Sequence, residues 1–220
     1  MTSIDEISTR LHAVNDRIEA TGVDPAKVQI VAVTKRFDAD VVANTFAAGI
    51  NDVAENYAQE ARAKHEQLTA TGELKVRWHF VGQLQRNKVR SLVSFIDVWQ
   101  SVDSQSLMDE LAKRFPTSRL MIQVNISGEE GRGGCAWNEV PDLVSRGRSL
   151  GLGVAGLMGV APIGEPDDAR PGFRRLKAMA DDLGLAEVSM GMSGDFDVAV
   201  EEGSTMLRLG TALFGERPPR

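Results

Sequence analysis

Lys35 stands at the end of an apolar run, Val28-Gln29-Ile30-Val31-Ala32-Val33-Thr34, and a polar segment follows at once. A lysine so placed caps a buried parallel strand and points its amine into the mouth of a barrel. Such an amine is partly desolvated, loses its proton near neutral pH and attacks aldehydes. The far end of the chain carries two small-residue loops suited to a phosphate, Ser189-Met190-Gly191-Met192-Ser193-Gly194-Asp195 and Gly203-Ser204-Thr205-Met206-Leu207-Arg208-Leu209-Gly210-Thr211. Backbone amides bind such an anion, so glycine is wanted for close approach and hydroxyls for extra donors. Ser193, Gly210 and Thr211 meet that need. A Schiff-base lysine with a phosphate cradle points to pyridoxal phosphate. A Schiff-base aldolase acting on a sugar phosphate fits the same residues, and the residues alone do not separate the two.

Arg208 lies two residues before Gly210 in an apolar strand. A permanent cation buried there needs a partner. A structural salt bridge is one solution. The other is a hydrogen bond to the pyridine nitrogen of a cofactor, which would keep that nitrogen unprotonated and the ring a weak electron sink.

These residues need a scaffold that brings the first strand to the last two. Ile4, Ile7, Leu11, Val14 and Ile18 recur at helical spacing, and Gly22 closes that first helix. Short β-branched runs then alternate with amphipathic stretches. Strands are predicted at 28–34, 51–54, 76–81, 96–100, 119–125, 152–158, 186–189 and 206–208. Helices are predicted at 38–48, 57–69, 86–93, 104–114, 138–148, 168–183 and 196–202. Alternation of this kind means parallel pairing with helical crossovers, and eight repeats imply closure into a (β/α)8 TIM barrel. An open doubly wound sheet would start with a Gly-rich turn, whereas Thr34-Lys35-Arg36-Phe37 follows the first strand. The expectation is one α/β barrel over residues 1–220 with an extra N-terminal helix, ending in a frayed tail at 216–220. Polar or small residues fall at nearly every expected strand end: Lys35, Glu55 with Asn56 and Tyr57, His79, Gln100 with Ser101, Asn125, Met158 with Gly159, and the two loops. In a barrel those ends line one pocket.

Composition narrows the choice further. A net charge of -6 gives no basic surplus for nucleic acid. One cysteine, Cys135, allows no internal disulfide, and with three scattered histidines it makes a zinc site improbable. Cys135 reads as an exposed or half-buried loop thiol, Trp78 as core packing and His79 as a satisfied polar contact. No apolar run approaches a membrane span and the first residues have no signal-peptide core, so a cytoplasmic protein is expected.

With these motifs assembled, the chain resembles the YggS/PROSC family of pyridoxal phosphate homeostasis proteins. The matching stretches are Ala32-Val33-Thr34-Lys35, Glu55-Asn56-Tyr57-Ala58-Gln59-Glu60, the run Trp78 to Lys88, Gly156-Leu157-Met158, Met190-Gly191-Met192-Ser193 and Gly203 to Gly215. They run in order over nearly the whole chain. The family often has glycine where Ala54 stands and Thr-Lys-Pro near Arg36-Phe37, and the loop Ser127 to Cys135 is rich in glycine here. The resemblance implies a fold type III barrel like the N-terminal domain of alanine racemase. It implies Lys35 as the Schiff-base (internal aldimine) lysine, Arg208 facing the pyridine nitrogen, Ser193, Gly210 and Thr211 on the phosphate, and Asn56 and Met158 beside the ring. It favours the cofactor over the aldolase. It also implies a role in vitamin B6 and amino-acid homeostasis without strong catalysis, with apo PLP-dependent enzymes as recipients. A small PLP-dependent amino-acid racemase is the alternative. Two-base racemisation needs a second acid or base opposite the lysine. Alanine racemases take that tyrosine from a separate β-domain of a second subunit. Tyr57, the one tyrosine here, falls at the start of the helix after the second strand, and without such a domain a monomer is expected.

Overall fold

The computed structural model describes residues 2–72 and 75–216, so Arg217 to Arg220 of the expected frayed tail lie outside the described residues. Eight parallel strands close into a barrel in chain order. They are β1 (Gln29–Val33), β2 (Asp52–Glu55), β3 (Arg77–Phe80), β4 (Val98–Val102), β5 (Arg119–Val124), β6 (Gly153–Gly159), β7 (Glu187–Ser189) and β8 (Met206–Leu209). The seam is β1 against β8, with Val31 opposite Arg208 and Ala32 opposite Leu209. That pairing brings the strand before Lys35 beside the strand that carries Arg208.

Helices cover the outside: α1 (Ile4–Ala20), α2 (Ala39–Ala47), α3 (Ala58–Thr71), α4 (Val89–Leu92), α5 (Gln105–Arg114), α6 (Val140–Ser149), α7 (Arg170–Asp182), α8 (Phe196–Glu201) and α9 (Thr211–Phe214). The N-terminal helix α1 starts with a capping box, in which Ser3 and Glu6 satisfy each other's amides. It buries Ile7, Val14 and Ile18. Its Arg10 donates to the carbonyl of Leu213 in α9 at 3.2 Å, so α1 supports the short helix that begins at Thr211.

Alternation along the strands divides two cores. The larger lies between barrel and helices and includes Val53, Trp78, Phe80, Trp99 and Leu207. Trp78 is core, as expected, with its ring edge-on to Phe95. The smaller fills the barrel with Val31, Val33, Ala54, Met121, Met158 and Met206. Val33 is two residues before Lys35, so the strand's own period aims Lys35 at the barrel mouth.

Four expectations are corrected. Gln100 and Ser101 lie inside β4 rather than at its end. The segment before β4 stays coiled because Ile96 donates back to the carbonyl of Leu92, and the Asp97 carboxylate then accepts the amide of Trp78. The helix expected at 86–93 is a 3-10 turn at Arg86–Lys88 followed by the short α4. Thr211, expected in a loop, is the first residue of α9. Cys135 is 4% exposed, because its amide and carbonyl pair with Gln123 and Asn125 beside β5. Burial, helped by Glu139 and Asp103, pushes its thiol up to about 12, so it stays protonated and inert.

Candidate binding site

A cavity of about 330 Å³ opens at the C-terminal rim of the barrel. Lys35, Asn56, Ser193, Arg208, Gly210 and Thr211 line it, which brings six of the seven expected site residues together. Met158 is not among the lining residues; it is 1% exposed and lies in the apolar layer inside the barrel, against which Val81 and Val160 pack. Val33, Val81, Val160, Met192 and Gly194 complete the wall. Of these, Met192 and Gly194 belong to the small-residue loop already expected at the pocket, whereas Val33, Val81 and Val160 were not singled out, because an apolar residue at a strand end looks like core until the barrel closes.

Lys35 sits in a tight turn. The amide of Phe37 donates to the carbonyl of Thr34 at 3.1 Å, and Arg36 between them has φ +66°, the left-handed region. The turn ends β1 abruptly and leaves Lys35 at the cavity wall.

The opposite wall is built by the loop after β7. Gly191 has φ +96°, and a Cβ there would lie 2.6 Å from that of Ala199. The backbone of Gly191 therefore packs directly on α8, and its carbonyl accepts the amide of Arg208 at 3.0 Å. Asp195 closes the loop by accepting the amide of Met192 at 2.5 Å. Burial pushes the Asp195 carboxyl up, against the pull of that amide and of Arg208. Ser193 accepts the amide of Ala212 at 2.9 Å, which ties the β7 loop to α9 and sets Ser193, Gly210 and Thr211 side by side.

Arg208 is 4% exposed. Among the described residues no ion pair includes it, so the salt-bridge solution is not the one used. One Nη donates to the hydroxyl of Ser189 and the other to the carbonyl of Gly159, each at 2.7 Å. Those bonds use two of roughly five N–H groups and leave others for the cavity. Burial pushes its pKa down to about 10 against the attraction of Asp195, so the guanidinium is a cation at neutral pH.

Below Arg208 a buried chain runs through the barrel. Ser189 donates to Gln100 Oε1 at 2.7 Å, and Gln100 Nε2 lies 2.7 Å from His79 Nδ1. The amide can only donate there, so the histidine proton is on Nε2, which donates to Asp52 at 2.8 Å. Arg77 holds Asp52 from the other side. His79 is thus a satisfied polar contact, as expected. Burial would raise the Asp52 carboxyl, but hydrogen bonds from His79 and Arg77 outweigh it and hold the pKa at about 2.

Beside the cavity, a second cleft of about 240 Å³ is lined by Asn56, Tyr57, Gln59, Gln83 and Lys88 among others. Gly82 makes this junction possible, since a Cβ there would stand 1.9 Å from the carbonyl oxygen of Asn56. Among the described residues no group of His, Cys, Asp and Glu could hold a metal ion, and no helix is long and apolar enough to cross a membrane.

The main cavity has two basic side chains, Lys35 and Arg208, and no acidic one on its wall. In a chain of net charge -6 that is a local reversal of sign, and it suits a small anion with a group reactive toward amines. Fold and site together define a barrel of the alanine racemase N-terminal-domain class, and the model of that family matches residues 7–218. An alanine racemase from Corynebacterium glutamicum shares the fold, with a TM-score of 0.75 at 16% identity over 98% of this chain and 62% of that one. Similarity is greater to a pyridoxal phosphate homeostasis protein of Pseudomonas aeruginosa, at 38% identity over 99% of this chain and 97% of that one. A protein of the same name from Aquifex aeolicus is 35% identical, with 99% of each chain covered. The structure of PipY from Synechococcus elongatus with PLP bound superposes with a TM-score of 0.79 at 33% identity, over 95% of this chain and 100% of that one. The chain belongs to the pyridoxal phosphate homeostasis protein family.

Proposed function

We propose that this protein binds pyridoxal 5'-phosphate (PLP) in the cavity at the barrel mouth and serves intracellular PLP homeostasis. The observation that carries the reading is the convergence of the Lys35 amine, the Arg208 guanidinium and the Ser193–Gly210–Thr211 cluster on one small cavity. When bound, PLP supplies an aldehyde that condenses reversibly with primary amines, with loss of water. In this reading Lys35 supplies the amine. Ser193, Gly210 and Thr211 hold the phosphate, and Arg208 donates to the pyridine nitrogen. Asn56 lies beside the ring, and Met158 supports the floor from the layer beneath. The membership of the family and the PLP-bound relative support the cofactor.

The same cavity favours a carrier over a racemase. Besides Lys35 and Arg208 its lining residues include no ionisable side chain to serve as a second acid or base. Tyr57 lines the neighbouring cleft instead. The protein then holds PLP in the cytoplasm as a single-barrel monomer and releases it to apo PLP-dependent enzymes, with little chemistry of its own.

A visible spectrum before and after borohydride reduction, with peptide mapping, tests this. Incubation with PLP is expected to give a yellow protein whose reduced label maps to Lys35, and Lys35→Ala is expected to lose the band. A colourless protein after incubation would overturn the cofactor. Rapid racemisation of an amino acid, abolished by Lys35→Ala, would overturn the carrier.

A further inference from the structure

The turn that carries Lys35 is gripped from behind by α3. Thr34 and Glu55 are fully buried, and alternation points them away from the barrel mouth, toward that helix. Lys64 of α3 is 6% exposed and reaches in to meet them. Its Nζ donates to the carbonyl of Thr34 at 2.7 Å and to Glu55 Oε1 at 2.5 Å. The Thr34 hydroxyl donates to the same carboxylate oxygen at 2.6 Å. Glu60, one helical turn earlier, accepts the amide of Arg36 at 2.8 Å. So one helix holds the carbonyl just before Lys35 and the amide just after it.

Energetics say what such an arrangement is for. A buried ion pair loses much of its attraction to desolvation, and an apolar pair of similar volume often serves stability as well. What an apolar pair cannot do is hold a carbonyl and a hydroxyl at fixed distances. The held carbonyl is also the acceptor that closes the Thr34–Phe37 turn, in which Arg36 adopts a backbone conformation that side chains rarely take. The strained residue adjoins the reactive one, and Glu60 braces it.

We propose that Lys64, acting with Glu55, is a positioning residue for Lys35: it fixes the backbone from which the reactive amine projects and itself takes no part in the chemistry. The inference rests on Lys35 being the lysine that condenses with PLP.

The test begins with wild-type protein, PLP and borohydride. A label away from Lys35 ends the cofactor reading and this inference with it. With the label on Lys35, the double variant Lys64→Met/Glu55→Gln removes the pair without leaving a lone buried charge. Growth of the visible band on mixing with PLP is expected to slow about tenfold or more, because small misplacements of a reacting group carry penalties of that order. Affinity for 4-deoxypyridoxine 5'-phosphate, which has the ring and phosphate but no aldehyde, is expected to change less than about twofold. Amide exchange at Arg36 and Phe37 is expected to quicken. A folded double variant with wild-type band growth overturns the proposal, and so does an equal loss of analogue binding, which marks a general collapse of the site. If the double variant does not fold, Thr34→Val removes one leg of the network. It is expected to slow band growth about two- to threefold, the effect of one modest hydrogen bond, and an unchanged rate overturns the proposal.

Discussion

Arg208 shows how much a single side chain can settle. It is held by a hydroxyl and a carbonyl, both uncharged, and its counter-charge Asp195 acts through space. Burial shifts its pKa to about 10, which is still far above neutrality. The cavity therefore has a fixed cation that no neutral-pH titration removes. A lysine could not replace it, since one ammonium cannot span the Ser189 hydroxyl and the Gly159 carbonyl as a planar fork does. Arg208→Gln removes the charge and shortens the reach. PLP affinity is expected to fall at least about tenfold, the order of one charge-assisted hydrogen bond, while reduced label still maps to Lys35. Titration of the visible band measures the affinity, and a Kd equal to that of the wild type would remove Arg208 from the cofactor's environment.

The elements decide whether such residues can meet. The loop after β7 has almost no freedom at Gly191, where both the positive φ and the packing against Ala199 and Leu207 exclude a side chain. Gly191→Ala is expected to destabilise the fold by about 3 kcal/mol, from backbone strain and overpacking together. It should also shift Ser193 away from Ala212 and weaken PLP binding. Thermal melts with and without PLP check both effects, and an unchanged melting temperature would contradict the geometry. Much of this level was legible in the sequence. The β-branched runs marked all eight strands, and Lys35 and Arg208, which line the cavity, stood out as candidates because each ends or interrupts an apolar run. The small residues of the last two loops were the reason to expect an anion cradle there, and Ser193, Gly210 and Thr211 do line one cavity. What was illegible is tertiary. Lys64 sits on a helix that is polar nearly all round, and nothing local distinguishes it from a solvated lysine; only the approach of α3 to β1 and β2 buries it. The shift of β4 has the same origin, since Asp97 is taken by the amide of Trp78 on another strand. Thr211 was found as a site residue but not as the start of α9, because a helix of four residues has no periodicity to read.

At the scale of the whole molecule, the polar chain from Arg208 to Asp52 crosses the barrel from mouth to floor. Every link has one donor and one acceptor, so the direction of the whole chain is set by its two charged ends. The floor end makes the fold sensitive to acid. Asp52 is 6% exposed, and its hydrogen bonds hold its pKa down at about 2, well below the usual carboxylate range. A carboxyl whose pKa is depressed on folding contributes stability above its unfolded pKa and loses it as pH falls through the folded one. The contribution is therefore complete above about pH 4 and gone below about pH 2. Glu55 and Asp195 act in the opposite sense, since burial raises both, and acidification relieves the penalty they carry near neutrality. Glu6, Glu110 and Glu202 are also held low by their partners, but at solvent-screened positions, so Asp52 is the buried carboxylate whose loss should show as a falling acid arm. Asp52→Asn is expected to lower unfolding free energy at pH 7 by roughly 2 kcal/mol, the linkage value of such a shift, and the gap to wild type should narrow as pH drops below 4. Urea unfolding at a series of pH values reads this directly. A gap that stays constant down to pH 2 would mean that the Asp52 charge does not stabilise the barrel floor and that the chain below Arg208 is held by its hydrogen bonds and packing without it.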